Sequence, residues 1–437
     1  MHICNYRHLR MKYRGWVFLF FFNFSAFSQE RLILSKEQAE AIFLKENMSL
    51  LIGHLDIAQS EAEALQAKLW PNPVFTFDQV NLWATPAQTG GQVQIPSIGG
   101  LWPNQQFGFN IEQLILTAGK RKKLMALEQV NIEMSKQYFE DLLRGLKFEL
   151  RNLLTSMQYL QLCSELYSVQ YETIKQLSKS YNRQIEIGGA SQAEFVRLKA
   201  LEFELAQRWN NVQFERNEVE KELKILLRIP SNRSLEISQE GYRKDVSMWK
   251  KLSLNELINL AKLHSPDYKL ALLEEDYYAK LYVYEKAQRF PDLSLNMGYD
   301  RGGNAMLDFV GFGVKFDLPL FHRNQGRLKS AQIGIEKSAL QERQSLLKIE
   351  QEMGLAYQNL MLSIAFMEDK DPGYEGMLDT LLERYTENFK SRNISLLEYS
   401  DFMRTYIENK KIILESIKMV QQKAEELNFS AGIDLIK

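Results

Sequence analysis

The sequence predicts a mainly α-helical fold with a small β part: two internal repeats, each built from a long antiparallel helical hairpin and a pair of strands. Three observations carry this reading. Prolines are confined: Pro103 and Pro230 bracket 126 residues without one, and further proline-free stretches run from Leu320 to Asp371 and from Gly373 onward. Apolar residues in those stretches recur at intervals of three and four, the period of one helical face. The same order of elements also occurs twice along the chain.

Residues 1–28 read as a signal peptide. Arg7, Arg10, Lys12 and Arg14 form a basic stretch, Trp16 to Phe27 an apolar one, and Ser25-Ala26-Phe27-Ser28 offers small residues for cleavage before Gln29. Met11 is a second candidate start. A retained anchor is the alternative, but this apolar stretch falls short of the roughly 20 residues a spanning helix needs. Loss of four basic and no acidic residues takes the formal charge from −1 to −5. That mild acidity argues against a nucleic-acid partner, which selects basic surfaces. Cys4 leaves with the leader, so Cys163 has no disulfide partner, and no cysteine stands at the cleavage site to accept a lipid. Beyond the leader no run of 18 apolar residues occurs. Membrane contact, if any, must then go through β-strands.

The first repeat spans 29–251: a helix over 35–70, strands over 73–83 and 105–116, a helical hairpin over 118–228 and an equatorial segment over 229–251. The second spans 252–437: a helix over 253–289, strands over 291–301 and 309–320, and a hairpin over 323–430. Leu34-Ser35 matches Leu252-Ser253, Trp70-Pro71-Asn72-Pro73 matches Phe290-Pro291-Asp292, and Tyr181, Ser191 and Glu194 match Tyr385, Ser395 and Glu398. In the hairpins, Leu142, Leu146, Leu150, Leu153, Met157 and Leu160 make one seam, and Tyr399, Phe402, Tyr406, Ile413, Ile417 and Val420 another. A helix from about Lys120 to Ile187 would be roughly 100 Å long at 1.5 Å per residue, too long for a compact globule. It must lie along other helices.

The strands alternate. Leu293, Leu295, Met297 and Tyr299 take one phase against Ser294, Asn296 and Gly298, and Phe312, Val314 and Phe316 take one phase against Gly313 and Lys315. In the first half Phe75 and Phe77 keep a phase that Val80 and Leu82 lose, so a slip is expected near Asp78-Gln79. A half-buried sheet in water is the bland alternative. As barrel wall, four strands cannot close, since about eight is the minimum. The chain would then assemble, a dimer giving eight strands and a trimer twelve.

This combination resembles the TolC family of outer-membrane efflux proteins over nearly the whole mature chain. The residues carrying it are Leu69-Trp70-Pro71-Asn72-Pro73 and Arg289-Phe290-Pro291 before the strands, Glu112 to Arg121 and Asp317 to Phe321 after them, and Leu223 to Pro230 closing the first hairpin. The Pro-Asn-Pro segment and the Ala118-Gly119-Lys120-Arg121 turn look closest to the cobalt-zinc-cadmium/copper (CzcC-like) heavy-metal branch. The resemblance implies a homotrimer with a twelve-stranded barrel in the outer membrane of a Gram-negative bacterium and an α-helical tunnel in the periplasm. It implies a periplasmic adaptor, an inner-membrane pump that is usually proton-driven, contact with outer-membrane lipid, and heavy-metal cations or drugs as cargo. Two departures stand out: the long Pro- and Gly-rich loop over 84–104, read as an external loop able to shield the mouth, and Asp371-Pro372-Gly373, which interrupts the second long helix.

Functional candidates fall at the hairpin turns. Tyr181, Gly188, Gly189, Ser191 and Glu194 form the first, and Tyr385, Arg392, Asn393 and Ser395 the second. Gly permits the left-handed reversal, and Ser with Glu three residues later has capping-box spacing. Starting a helix is therefore their ordinary role; the resemblance adds adaptor docking. Glu398 and Asp401 share a helix face and match acidic positions lining the family's closed entrance. In a ring they would attract cations and raise one another's pKa; as two solvated charges they would do neither. In the first half Arg197 replaces the second acid. No catalytic set emerges: His54, His264 and His322 are scattered, no cysteine–histidine spacing suits a metal, and no phosphate loop is present. The reading is a non-enzyme without cofactor, with a periplasmic coiled-coil adaptor as the alternative. An adaptor would carry one hairpin flanked by many short strands.

Overall fold

The computed structural model describes residues 31–81, 105–189, 191–243, 246–302, 307–369, 371 and 373–435, with scattered positions inside 82–104. The leader, most of the 84–104 loop and Pro372 lie outside the described residues.

The described residues begin with β1 (Arg31–Leu34), α1 (Lys36–Glu46) and α2 (Met48–Lys68). Strands β2 (Val74–Asn81) and β3 (Gln106–Ile115) follow, then the hairpin of α3 (Lys120–Glu186) and α4 (Gln192–Leu227). Strand β4 (Ser234–Ile237) links to α5 (Leu254–His264) and α6 (Pro266–Ala287). The second half closes with β5 (Leu293–Arg301), β6 (Asp308–Phe316), α7 (Gln325–Glu368), α8 (Tyr374–Lys390) and α9 (Leu396–Ala431).

Helix α3 has 67 residues, about 100 Å, and serves as a spine. Helix α4 packs along one part of it and α2 along another, and α9 and α6 also lie against it. Each half corrects the sequence reading in the same way. The single helix expected over 35–70 is broken at Asn47, and that over 253–289 at Ser265. The buried Asn47 amide explains the first break: its Oδ1 accepts the Leu50 N–H (3.1 Å), while its Nδ2 donates to the Leu226 carbonyl (3.0 Å) at the end of α4. The second break is the work of Pro266, which opens α6 and leaves Ser265 with a non-helical backbone. There Gly432 (φ +73°) ends α9 against the His264 backbone, where an added Cβ would come within 3.0 Å.

The 323–430 hairpin carries the interruption expected around Asp371-Pro372-Gly373: α7 stops at Glu368, and α8 resumes at Tyr374 with Gly373 as its N-cap. An element absent from the sequence reading is the parallel pair β1–β4, Arg31 opposite Ser234 through Leu34 opposite Ile237, which ties the equatorial segment to the start of the described residues. Three apolar cores run along the bundle. Leu150, Leu154, Met157 and Leu223 pack around Phe43; Met353, Leu360 and Leu427 hold α5, α7 and α9; and Leu198, Phe389, Tyr399 and Met403 fill the end nearest the turns. Arg151 of α3 bonds Glu40, Glu425 and Asp434, joining three segments distant in sequence.

Candidate functional site

Two places in the molecule gather the candidate residues: an exposed sheet and the packed hairpin turns. The first is the four-stranded antiparallel sheet, ordered β2-β3-β5-β6. Register fixes its faces. Phe75 sits opposite Ile111, Ile111 opposite Met297, and Met297 opposite Phe312. Phe77, Phe109, Tyr299 and Val310 form the adjacent row on the same face. The other face presents Thr76, Asn110, Glu112, Ser294, Asn296 and Lys315. The apolar face is uncovered, with Phe75 63% and Phe312 80% exposed. The expected slip in β2 is present as a register shift between Asp78 and Asn81. Among the described residues neither β2 nor β6 has a partner on its outer edge.

The second place is the pair of hairpin turns, which pack against each other. Tyr181 of α3 stacks on Phe389 of α8 (5.6 Å between ring centres), and Phe389 stacks on Tyr399 of α9 (4.7 Å). Tyr385 stacks on Phe402 at 4.2 Å. Arg392 carries the polar link: its Nη2 donates to Gln184 Oε1 (2.7 Å) and to the Gly189 carbonyl (2.9 Å). The two turns thus frame a depression of about 570 Å³ that gathers Tyr181, Gly188, Gly189, Ser191, Glu194, Arg392, Asn393, Ser395 and Glu398. Partial burial raises the Tyr181 hydroxyl pKa, and the Glu194 carboxylate adds to it.

Capping distinguishes the turns. Ser395 Oγ accepts the Glu398 N–H (3.2 Å), and Glu398 Oε2 accepts the Ser395 N–H (2.8 Å), a complete capping box. Ser191 instead accepts the Ala193 N–H (3.2 Å), so the box expected from Glu194 does not form. Bonds from the Ser395 backbone and hydroxyl hold Glu398 below the usual carboxylate range. Within one chain this shift is opposite in sign to that expected of a carboxylate ring. Asp401 lies exposed one turn further along α9. Farther up, Glu204 of α4 accepts from Arg404 of α9 (2.8 Å).

The Tyr181–Phe389 stack and the Arg392 bridge escaped sequence reading, because these contacts join residues about 200 positions apart. The apolar 3–4 series that includes Tyr399 and Phe402 was the available hint. A larger cavity of about 1120 Å³ lies elsewhere, at mid-bundle, where Lys36 bonds Thr155 and Gln421. Among the described residues no group of three His, Cys, Asp or Glu side chains is placed to hold a metal ion, and no helix is long and apolar enough to cross a membrane.

No family model and no curated protein matches the sequence. Solved structures do match. CusC, studied for transmembrane channel formation, superposes with TM-score 0.68 at 17% identity over 91% of this chain and 92% of its own. The Campylobacter jejuni outer membrane channel CmeC gives 0.70 at 14% over 92% and 87%. This chain has their fold. The open-state Neisseria gonorrhoeae MtrE outer membrane channel gives 0.66 at 13% over 92% and 89%. At such identities the shared architecture, an antiparallel sheet continued by long helical hairpins, is what the likeness establishes.

Proposed function

We propose that the chain is the outer-membrane exit duct of an efflux assembly, working as a homotrimer. The observation that carries this is the four-stranded sheet with one uncovered apolar face, one polar face and two open edges. In water such a sheet would aggregate; in a bilayer the apolar face meets lipid and the edges must close. An even number of antiparallel strands sets β6 opposite in direction to β2, so β6 of one copy continues into β2 of the next. Three copies give a twelve-stranded wall whose polar face lines the passage. The helices support the same assembly. Helix α4 leaves Val196, Phe203 and Phe214 uncovered, and α7 leaves Ile333, Leu340, Leu347, Leu355 and Leu362, largely at heptad spacing. These stripes are the seams between copies.

In this reading the helices extend through the periplasm of a Gram-negative cell and the turns form the far tip. An adaptor docks there, and a proton-driven pump feeds the duct. Glu398 and Asp401 line the entrance and favour cations over anions. Arg392, by joining the second turn to the first, holds the entrance narrow. The cargo in this reading is heavy-metal cations or drugs, passed along and not bound. The two hairpins in one chain weigh against an adaptor.

Planar-bilayer recording tests the reading. The mature protein from the outer-membrane fraction should give steady, cation-preferring conductance, and Glu398→Ala with Asp401→Ala should change that preference. A protein that stays soluble without detergent and adds no conductance would refute it.

A further inference from the structure

The helix-side rim of the sheet carries a charge pattern that the duct reading does not use. Helix α3 opens with Arg121, Lys122 and Lys123, and the start of α7 brings Arg323, Arg327 and Lys329. The whole chain has a formal charge of −1, so this concentration is local. Neither helix has an acidic residue in its first turn, although cations there oppose the helix dipole. The unfavourable arrangement appears in both repeats. Two of the local acids are engaged elsewhere: Asp292 is taken by Lys120 (2.8 Å), and Glu285 accepts from the Asn324 side chain. Beside the cations lies a belt of exposed aromatics, Trp70, Phe290 and Phe321, the last 91% exposed. Leu318 continues the apolar face of β6 toward them. The two features touch: the Arg121 guanidinium lies 4.3 Å over the Trp70 ring and donates to the Lys68 carbonyl (2.6 Å).

We propose that this rim binds the headgroups of anionic phospholipids in the leaflet facing the helices. The proposal rests on the membrane reading above. Guanidinium and ammonium groups suit a phosphodiester, and aromatic rings at the same level suit the boundary between headgroup and acyl chain. A free phosphate would answer the cations but leave the belt bare; a lipid answers both. Because the pattern recurs in each repeat, every chain offers two such places, one at α3 and one at α7.

The test is native mass spectrometry of the full mature protein, reconstituted in vesicles with equal amounts of phosphatidylcholine and phosphatidylglycerol and then extracted in mild detergent. Each cation near an anionic surface favours it about fivefold. Retained phosphatidylglycerol should therefore exceed phosphatidylcholine by about tenfold or more at low salt, and the excess should shrink as salt rises. Replacing Arg121, Lys122 and Lys123 by Gln, or Arg323, Arg327 and Lys329 by Gln, should remove part of the excess, and both sets together nearly all. Should a triple variant fail to assemble, the double variant Lys122→Gln with Lys329→Gln, which removes one exposed cation from each place, should lower the excess about fivefold. A wild-type protein that inserts and conducts yet retains both lipids equally would overturn this inference alone, as would an excess unmoved by the substitutions. A protein that neither inserts nor conducts would overturn the membrane reading with it.

Discussion

The two hairpin turns solve one backbone problem with different residues. Each long helix ends in the same pair of bonds: Gly188 N–H to Ile185 and Gly189 N–H to Gln184 in the first, Arg392 N–H to Phe389 and Asn393 N–H to Asn388 in the second. Both need a left-handed residue at the same point. The first turn uses Gly188 (φ +74°), which adopts it freely, and the second uses Arg392 (φ +61°), which does not. A non-glycine there costs about 1–2 kcal/mol. What the second turn gains is a side chain, and that side chain reaches the first turn. Strain in one turn is thus coupled to a contact between the two.

The comparison breaks most severely at Phe389, 2% exposed between Tyr181 and Tyr399. Phe389→Ala should destabilise the joined turns by about 3–5 kcal/mol, seen as faster amide exchange in α8 and the start of α9. Swapping the reversing residues should give effects of opposite sign. Gly188→Val forces a branched side chain into the left-handed region and should cost about 2 kcal/mol locally. Arg392→Gly relieves that strain by about 1 kcal/mol while cutting the bridge, so the second turn should exchange no faster even as conductance rises. A fall in conductance in Arg392→Gly would show that the bridge does not hold the entrance.

Smaller effects sharpen the contrast in capping. Ser395→Ala should cost about 1 kcal/mol, and Ser191→Ala less, because only Ser395 belongs to a reciprocal box. Glu398 gives the smallest signal. Its pKa is depressed in the fold, so its contribution is fully present above the ordinary glutamate range and fades as pH falls through the lower, folded value. Amide protection at the start of α9, taken relative to the intrinsic exchange rate at each pH, should be flat from neutral pH to that range and fall only below it, and Glu398→Gln should remove the fall.

Much of the fold was legible because its signals are local and repeated. Alternation marked Leu293 to Tyr299 and Phe312 to Phe316 as one face, and β5 and β6 set those residues opposite one another. The absence of proline from 104–229 left room for α3. What escaped reading depends on distant partners. Asn47 breaks its helix by bonding Leu226, which no window around it reveals, and β1 meets β4 across about 200 residues. Pro266 is different, since its effect on Ser265 is local and the signal was present. At the candidate site, turn chemistry singled out Gly188, Ser191, Ser395 and Glu398, but it gave Ser191 a partner it lacks and could not show that Arg392 adopts glycine's conformation.

The mass of the detergent-extracted particle tests the central claim most directly. Four strands with open edges demand pooling among identical chains, and native mass spectrometry should find three copies and no stable smaller form. A monodisperse single chain in detergent, or in water alone, would contradict the account.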